Sequence, residues 1–156
     1  MNTMSRRQFI KNSAIVAGMS VGSSRILGAN DRLSIGVIGC SERARSALMK
    51  QVVGLGKPCN VDIMAVCDLW SVNREKGAKL VTDSGAKAPR QYKYMDEMLA
   101  LKDIDAVIIA TGDFQHAPLL KIAVEAGKDC YCEKPMAIDI ESAKAAYKAV
   151  LLSGRD

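Results

Sequence analysis

The sequence lacks a basic run that could bind nucleic acid. Its formal net charge is +5 over 156 residues, but the first 29 residues hold four of these charges and no acid. The four are Arg6, Arg7, Lys11 and Arg25. The remaining residues carry a net charge of only +1. Because nucleic-acid-binding domains concentrate lysine and arginine on one face, we expect no nucleic-acid partner.

Metal ligands are also scarce. The chain has one histidine, His116, and five cysteines, none of which stands in a C-x-x-C pair. A metal site needs three or four convergent ligands, so we expect none here. Cys130 and Cys132 alternate along a predicted strand and therefore point to the same face of a sheet, where we expect free, buried thiols.

The start of the chain has the layout of an export signal. Residues 5–11 read S-R-R-Q-F-I-K, and small and apolar residues follow from Ala14 to Val21. A basic start before a short apolar stretch is typical of secretory signals. The stretch is far shorter than the ~20 residues that span a bilayer, so we expect no stable membrane insertion.

This layout resembles the twin-arginine motif S-R-R-x-F-L-K, with Ile10 at the leucine position. The resemblance implies recognition by the twin-arginine export machinery and a periplasmic location in a bacterium. A chance arginine pair at the terminus is the alternative. We predict a signal segment over residues 1–29 and a globular domain over residues 30–156, and we leave open whether the signal is removed.

Beyond the signal, predicted strands and helices alternate. The strands are residues 33–38, 61–67, 92–94, 106–110 and 130–132. The helices are residues 42–53, ended by Gly54, Gly56 and Pro58; 71–82; 96–100; one that opens near Pro118 and ends at Gly127; and one capped by Asp139. Strands that alternate with helices predict an α/β fold with a doubly wound parallel sheet of the Rossmann type.

Unusual residues cluster where these strands end. The clusters are residues 39–44, Asp68, residues 111–116 and residues 133–135. In an open parallel sheet, ligands bind at the carboxyl ends of the strands. The coincidence predicts a dinucleotide site at this edge.

The turn after the first strand departs from the usual G-x-G-x-x-G/A pattern. Gly39 supplies the tight turn and Ala44 allows close helix packing, but Ser41 stands at the second glycine. Its hydroxyl could bond a phosphate oxygen, or its Cβ could hold the dinucleotide away. We predict that this turn, including Cys40 and Arg43, binds the cofactor.

Asp68 ends the second strand, where a carboxylate can bond both ribose hydroxyls of NAD. A carboxylate there repels a 2′-phosphate, so we expect NAD(H) to be favoured over NADP(H). Arg74 is near enough in the sequence to contact such a phosphate instead. A helix-capping or solvated aspartate is the alternative.

Two longer motifs resemble the Gfo/Idh/MocA family, which contains glucose–fructose oxidoreductase and inositol dehydrogenase. They are A-T-G-D-F-Q-H over residues 110–116 and A-G-K-D-C-Y-C-E-K-P over residues 126–135. Tyr131 lies beside the position where the family usually has valine. The resemblance covers about residues 33–155 and implies a Rossmann domain that binds NAD.

The resemblance also implies roles for individual residues. Thr111 would line the dinucleotide near its pyrophosphate, and Glu133 and Lys134 would border the nicotinamide. Lys134 would face the substrate hydroxyl as the catalytic residue, because an ammonium stabilises a developing oxyanion. His116 would line the cofactor pocket or cap the turn. We do not expect it to transfer the proton, since the family's catalytic histidine lies in a second domain.

In the family a larger α/β domain follows, with the substrate pocket and the oligomer interface. We expect this sequence to be an incomplete reading frame that stops before that domain and before the last Rossmann strand, and we expect any homo-oligomer to form only in the full-length protein. The leading functional hypothesis is NAD(H)-dependent oxidation or reduction of a sugar or polyol hydroxyl. The alternatives are an NAD-dependent glycosidase that passes through a transient 3-keto sugar and a non-catalytic nucleotide-binding chain.

Overall fold

The computed structural model describes residues 32–155. Five strands form one sheet: β1 (Leu33–Ile38), β2 (Val61–Cys67), β3 (Arg90–Tyr92), β4 (Ala106–Ile109) and β5 (Asp129–Cys132). Five helices connect or follow them: α1 (π-helical Ala44–Met49, then Lys50–Cys59), α2 (Ser71–Asp83), α3 (Met95–Leu99), α4 (Asp113–Glu125) and α5 (Ile140–Ser153). The predicted signal segment lies outside the described residues.

All five strands are parallel, in the order β3-β2-β1-β4-β5. This order places β1 at the centre of the sheet. The chain first adds β2 and β3 on one side of β1 and then returns to add β4 and β5 on the other side. This reversal in the order of strand addition is the Rossmann arrangement. The predicted doubly wound α/β fold is confirmed. The reversal also opens a crevice at the carboxyl ends of β1 and β4, where the motifs identified in the sequence lie.

Each face of the sheet is covered by its own helices. On one face, Val107 and Ile109 of β4 pack with Ala123 of α4 and Ala146 of α5 in one buried cluster. On the other face, a second cluster joins β1 and β2 to α1 and α2 through Val37, Ile63, Met49 and Val81. Because alternate residues of a central strand are buried on opposite faces, residues 35–38 of β1 and all of β4 are continuous apolar runs.

Helix α1 does not end where the sequence predicted. It continues through Gly54, Gly56 and Pro58 to Cys59, so the prediction that these residues break it was wrong. Val52 and Val53 pack against the core, and this packing outweighs the low helix propensity of glycine and proline. A Cβ on Gly56 would lie 3.2 Å from the Val61 carbonyl oxygen. Asn60, whose φ of 52° is left-handed, follows Cys59 and caps the end of the helix.

The first part of α1 is π-helical, which no feature of the sequence indicated. A π-helix closes i→i+5 hydrogen bonds and so shifts the side chains that follow. Met49, the last residue of this segment, is fully buried.

Two other boundaries were wrong. Strand β3 covers Arg90–Tyr92 rather than residues 92–94, because Arg90 pairs with Ala65 and Tyr92 with Cys67 of β2. Helix α4 begins at Asp113 rather than near Pro118, which lies inside it. Its additional first turn is held by the buried His116 ring.

The predicted cap of the last helix is confirmed. Asp139 caps α5, since its carboxylate accepts a hydrogen bond of 2.7 Å from the Ser142 amide, and this bond lowers the pKa of Asp139. Cys130 and Cys132 are free thiols packed against the same cluster, as predicted, but they are only half-buried, so the prediction that they are buried was wrong. Within residues 32–155 no helix is both long and apolar enough to cross a membrane.

Candidate functional site

Two cavities adjoin at the carboxyl edge of the sheet. The first cavity has a volume of about 540 Å³ and lies beside β1, β2 and the segment after β3. The second has a volume of about 330 Å³ and lies between the turns after β1, β4 and β5. The residues that line both are Ser41, Ala110 and Thr111. The shared wall makes the two cavities one trough across the crevice, suited to a ligand with two halves.

The structure brings most of the predicted site residues to this trough. Those that line the first cavity are Gly39, Ser41, Asp68 and Thr111. Those that line the second are Ser41, Arg43, Thr111, His116, Glu133 and Lys134. The side chains of Cys40 and Ala44 point into the core instead and are fully buried.

Gly39 allows the turns after β1 and β4 to meet. Its φ is +87°, and a Cβ there would lie 2.7 Å from the carbonyl oxygen of Ala110. Only glycine adopts this conformation without strain while leaving room for the second chain. The close approach brings the two turns together at the first cavity, which Gly39 and Ala110 both line.

Asp68 is fixed by backbone amides at the wall of the first cavity. Its Oδ2 accepts a hydrogen bond of 2.8 Å from the Cys40 amide, and its Oδ1 accepts one of 2.9 Å from the Trp70 amide. The Arg74 guanidinium donates to the Asp68 carbonyl oxygen at 2.7 Å. Asp68 therefore orders the start of α2 and also presents a carboxylate to the cavity. A role in capping the helix and a role in binding ribose hydroxyls are compatible.

Ser41 contacts the start of α1. Its Oγ lies 3.4 Å from the Ala44 amide, which donates to it, and the residue is half-buried between the two cavities. A helix N-terminus carries amide groups without partners that can bind anions. Ser41 therefore engages one amide that the usual glycine would leave open to a phosphate.

Arg43 and Glu133 form an ion pair at the second cavity. The guanidinium Nη2 lies 3.0 Å from Glu133 Oε1, and Nε lies 3.3 Å from the same oxygen. The Tyr131 hydroxyl donates to Glu133 Oε2 at 3.4 Å. The Glu133 side chain is only 8% exposed, whereas that of Arg43 is 61% exposed. The carboxylate is thus anchored and buried, whereas the guanidinium is largely exposed to solvent.

His116 lies under the second cavity and is buried. Nδ1 is 2.7 Å from the Pro135 carbonyl oxygen, and Nε2 is 3.2 Å from the Thr111 carbonyl oxygen. Lys134, next to Pro135, lines the same cavity and is exposed. The second cavity therefore combines an exposed ammonium with a buried carboxylate.

The thiols near the site are poor nucleophiles. Burial, assisted by the Asp68 carboxylate, raises the pKa of Cys40 and of Cys67 to about 12. Both thiols stay protonated at neutral pH, and only a thiolate attacks or binds metal. Within residues 32–155 no cluster of three His, Cys, Asp or Glu side chains could hold a metal ion.

The trough fits a nicotinamide dinucleotide. Asp68 provides an acceptor for ribose hydroxyls in the first cavity, and the α1 amides lie at the junction. Arg43 and Lys134 supply positive charge at the second cavity. A carboxylate for the ribose hydroxyls and a helix N-terminus for the pyrophosphate are the groups by which Rossmann domains bind a dinucleotide.

The sequence analysis missed several residues of this trough. Those in the first cavity include Asn73, Lys93, Tyr94, Asp96 and Leu119. Lys93 and Tyr94 follow the carboxyl end of β3, so the rule that identified Asp68 would have found them. The misplaced third strand hid this signal.

Comparisons with known proteins agree with this geometry. Residues 33–154 match the GFO_IDH_MocA family, an oxidoreductase family with an NAD-binding Rossmann fold. The chain is 30% identical to a glycosyl hydrolase family 109 protein of Stenotrophomonas maltophilia strain K279a, over 99% of this chain and 35% of that protein. It is also 30% identical to an inositol 2-dehydrogenase of Pseudomonas syringae pv. syringae strain B728a, over 79% of this chain and 34% of that protein.

A dehydrogenase from Chromobacterium violaceum, solved with NADH and UDP-GlcNAcA, has the same fold. The TM-score is 0.68 at 24% identity, over 82% of this chain and 34% of that one. The chain thus spans about a third of the length of the relatives that it matches. Because the family match extends over nearly all described residues, the chain belongs to the Gfo/Idh/MocA family of oxidoreductases with an NAD-binding Rossmann fold.

Proposed function

We propose that this protein transfers a hydride between NAD(H) and a carbon that bears a hydroxyl group of a sugar or polyol. The observation that carries the proposal is the trough of two cavities, which share Ser41 and Thr111 and place Lys134 at one end. Membership of an oxidoreductase family and similarity to an inositol 2-dehydrogenase support the substrate class.

The residues of the trough divide between the two halves of the cofactor. Asp68 would accept hydrogen bonds from the ribose hydroxyls in the first cavity and repel a 2′-phosphate, which favours NAD over NADP. Gly39, Ser41 and Thr111 would contact the pyrophosphate at the junction, with Arg43 balancing its charge. When bound, the nicotinamide ring accepts or donates the hydride.

Lys134 is the proposed catalytic residue. Its ammonium, exposed at the second cavity, would bond the substrate oxygen and stabilise the negative charge that develops when the hydroxyl proton leaves. The buried Glu133 carboxylate would border the ring and fix the neighbouring backbone. His116 has both ring nitrogens against backbone carbonyl oxygens, which supports a role other than direct proton transfer.

The test is turnover of NAD by the protein expressed from its complete gene, with sugars and polyols as substrates and NADH absorbance as the signal. We expect Lys134→Met to lower the rate by on the order of a hundredfold, as loss of an oxyanion-stabilising group does, while NADH still binds. Lys144→Met, which removes an exposed lysine of α5, is the matched control. A Lys134→Met rate equal to that of the wild type would contradict the proposal.

A second candidate is a glycosidase that oxidises and then reduces its substrate within one cycle. The similarity to a glycosyl hydrolase family 109 protein over 99% of the chain favours it. The two activities differ in the fate of the cofactor. NADH accumulates during turnover of a dehydrogenase, whereas a glycosidase releases sugar without net NADH. Binding of NADH without either product would leave a non-catalytic nucleotide-binding protein.

We also propose that the chain is exported by the twin-arginine route to the periplasm. The support is the S-R-R-Q-F-I-K motif at residues 5–11. In a bacterial host, the Arg6→Lys and Arg7→Lys double variant is expected to remain in the cytoplasmic fraction while the wild type reaches the periplasm. Arg25→Lys, which lies outside the motif and leaves the arginine pair intact, is the control. Export of the Arg6→Lys and Arg7→Lys variant at the wild-type level would contradict this route.

A further inference from the structure

His116 joins the turns after β4 and β5. The residue is 1% exposed, in the first turn of α4. One ring nitrogen contacts the Thr111 carbonyl oxygen at 3.2 Å, and the other contacts the Pro135 carbonyl oxygen at 2.7 Å. An imidazole ring donates one hydrogen bond for each N–H, and a neutral ring has one N–H. Because the ring is buried between the two turns, its contacts with both carbonyl oxygens hold the turns together, and a shift of either turn would break one contact.

The two turns contribute different residues to the site. Thr111 lines both cavities and thus forms part of their junction, whereas Pro135 directly follows Lys134. Backbone hydrogen bonds connect β4 with the chain after β5. The last of them is donated by the Glu133 amide to the Ile109 carbonyl oxygen at 2.9 Å. The His116 ring continues the connection beyond that point.

We propose that His116 is a positioning residue, which holds Thr111 at the junction for the cofactor and Lys134 at the second cavity for the substrate. The proposal rests on the proposed function, because it assigns one ring nitrogen to each of that function's two steps, cofactor binding and hydride transfer. The Nε2 contact serves cofactor binding and the Nδ1 contact serves hydride transfer.

Two substitutions separate the ends of the ring. The amide of asparagine occupies the place of Nδ1, so His116→Asn keeps a donor for Pro135 and loses the contact with Thr111. The amide of glutamine reaches the place of Nε2, so His116→Gln keeps a donor for Thr111 and loses the contact with Pro135. A residue that only filled the core would show no such difference.

Lys128 offers a matched control at the opposite end of the sheet. Its buried ammonium donates to the carbonyl oxygens of Leu101 at 2.6 Å and Ile104 at 2.9 Å. It therefore also joins two backbone acceptors, but away from both cavities. Lys128→Met is expected to lower the melting temperature without changing NADH affinity or the rate.

The experiment measures NADH affinity by titration, the turnover rate with a sugar or polyol, and the melting temperature for each full-chain variant. We expect His116→Gln to lower kcat about tenfold with NADH affinity within about twofold, as loss of one hydrogen bond at the chemical step allows. We expect His116→Asn to weaken NADH binding about tenfold. Equal losses in both variants, in proportion to their melting temperatures, would overturn the proposal.

A further measurement needs neither turnover nor cofactor. His116 is the only histidine, so a protein without a histidine tag gives a single set of imidazole NMR signals. A ring N–H held by a buried carbonyl oxygen is expected to be protected from exchange with water, and rapid exchange would overturn the link between the turns. If the wild type binds NADH but does not turn over, the proposed function fails, while the NADH affinities and this exchange rate still decide the role of His116.

Discussion

Arg43 and Glu133 lie 90 residues apart in the sequence and form an ion pair of 3.0 Å at the second cavity. The pair connects the glycine turn after β1 with the E-K-P motif after β5. Its two members differ sharply in exposure, so the buried carboxylate depends on the pair more than the guanidinium does. Two motifs that the sequence presents separately therefore act as one unit at the site.

The ion pair makes the first prediction. Arg43→Met leaves the Glu133 carboxylate buried without its cation and is expected to destabilise the protein by about 1 kcal/mol, because the exposed guanidinium is partly screened by solvent. In the background of Glu133→Gln, which removes the charge, the same change is expected to cost less. Thermal denaturation of the wild type, the two single variants and the double variant gives the coupling free energy between Arg43 and Glu133. A coupling free energy of zero would show that the ion pair contributes nothing to stability.

Ser41 makes the second prediction. Glycine at this position removes the Cβ and frees the Ala44 amide, so Ser41→Gly is expected to bind NADH about fivefold more tightly. Ser41→Ala keeps the Cβ and removes only the hydroxyl, and we expect its affinity to stay near that of the wild type. Weaker binding by both variants, measured by fluorescence titration, would mean that the serine hydroxyl bonds a phosphate.

The sequence predicted much of this architecture because strong local signals coincide with the topology. The strands β1 and β2 were predicted with their observed bounds, since each is an apolar run followed by a glycine or an aspartate. The rule that ligands bind at strand ends then located Gly39, Asp68 and Thr111 in one trough. These features depend only on residues adjacent in the chain.

The errors arise where distant contacts decide the local structure. Nothing near Gly56 or Pro58 shows that α1 continues, because core packing by Val52 and Val53 maintains it. The start of α4 depends on a bond between His116 and Pro135, 19 residues away. The Arg43–Glu133 pair and the exact residues of β3 follow from the assembled sheet and have no signature in a single sequence.

Thiol reactivity makes the third prediction. Of the five free cysteines within the described residues, only Cys59 is exposed. Burial raises the pKa of Cys40, Cys67 and Cys130 to about 12 and that of Cys132 to about 11. At pH 8 a thiol reagent is therefore expected to label one site quickly in the native protein and all five after denaturation. Rapid labelling of the folded Cys59→Ser variant would contradict the low reactivity of the other four thiols.

The same thiols make a prediction about alkaline pH. Their pKa values are higher in the folded protein than the ordinary value of 9.0, so the unfolded chain releases these protons first. Stability is then complete below about pH 9 and falls as the pH rises toward 12. We expect Cys67→Ala to show a shallower fall between pH 9 and 11, measured by urea denaturation. An unchanged slope would contradict the assignment of the effect to Cys67.

The most direct test of the account is a titration of the full chain with NADH and with NADPH, for the wild type and for Asp68→Asn. The Asp68 carboxylate is held at the wall of the first cavity by the Cys40 and Trp70 amides, where it would accept ribose hydroxyls and repel a 2′-phosphate. We predict that the wild type binds NADH more tightly than NADPH and that Asp68→Asn reduces this preference by about tenfold. Tighter binding of NADPH by the wild type, or no binding of either dinucleotide, would contradict the central claim.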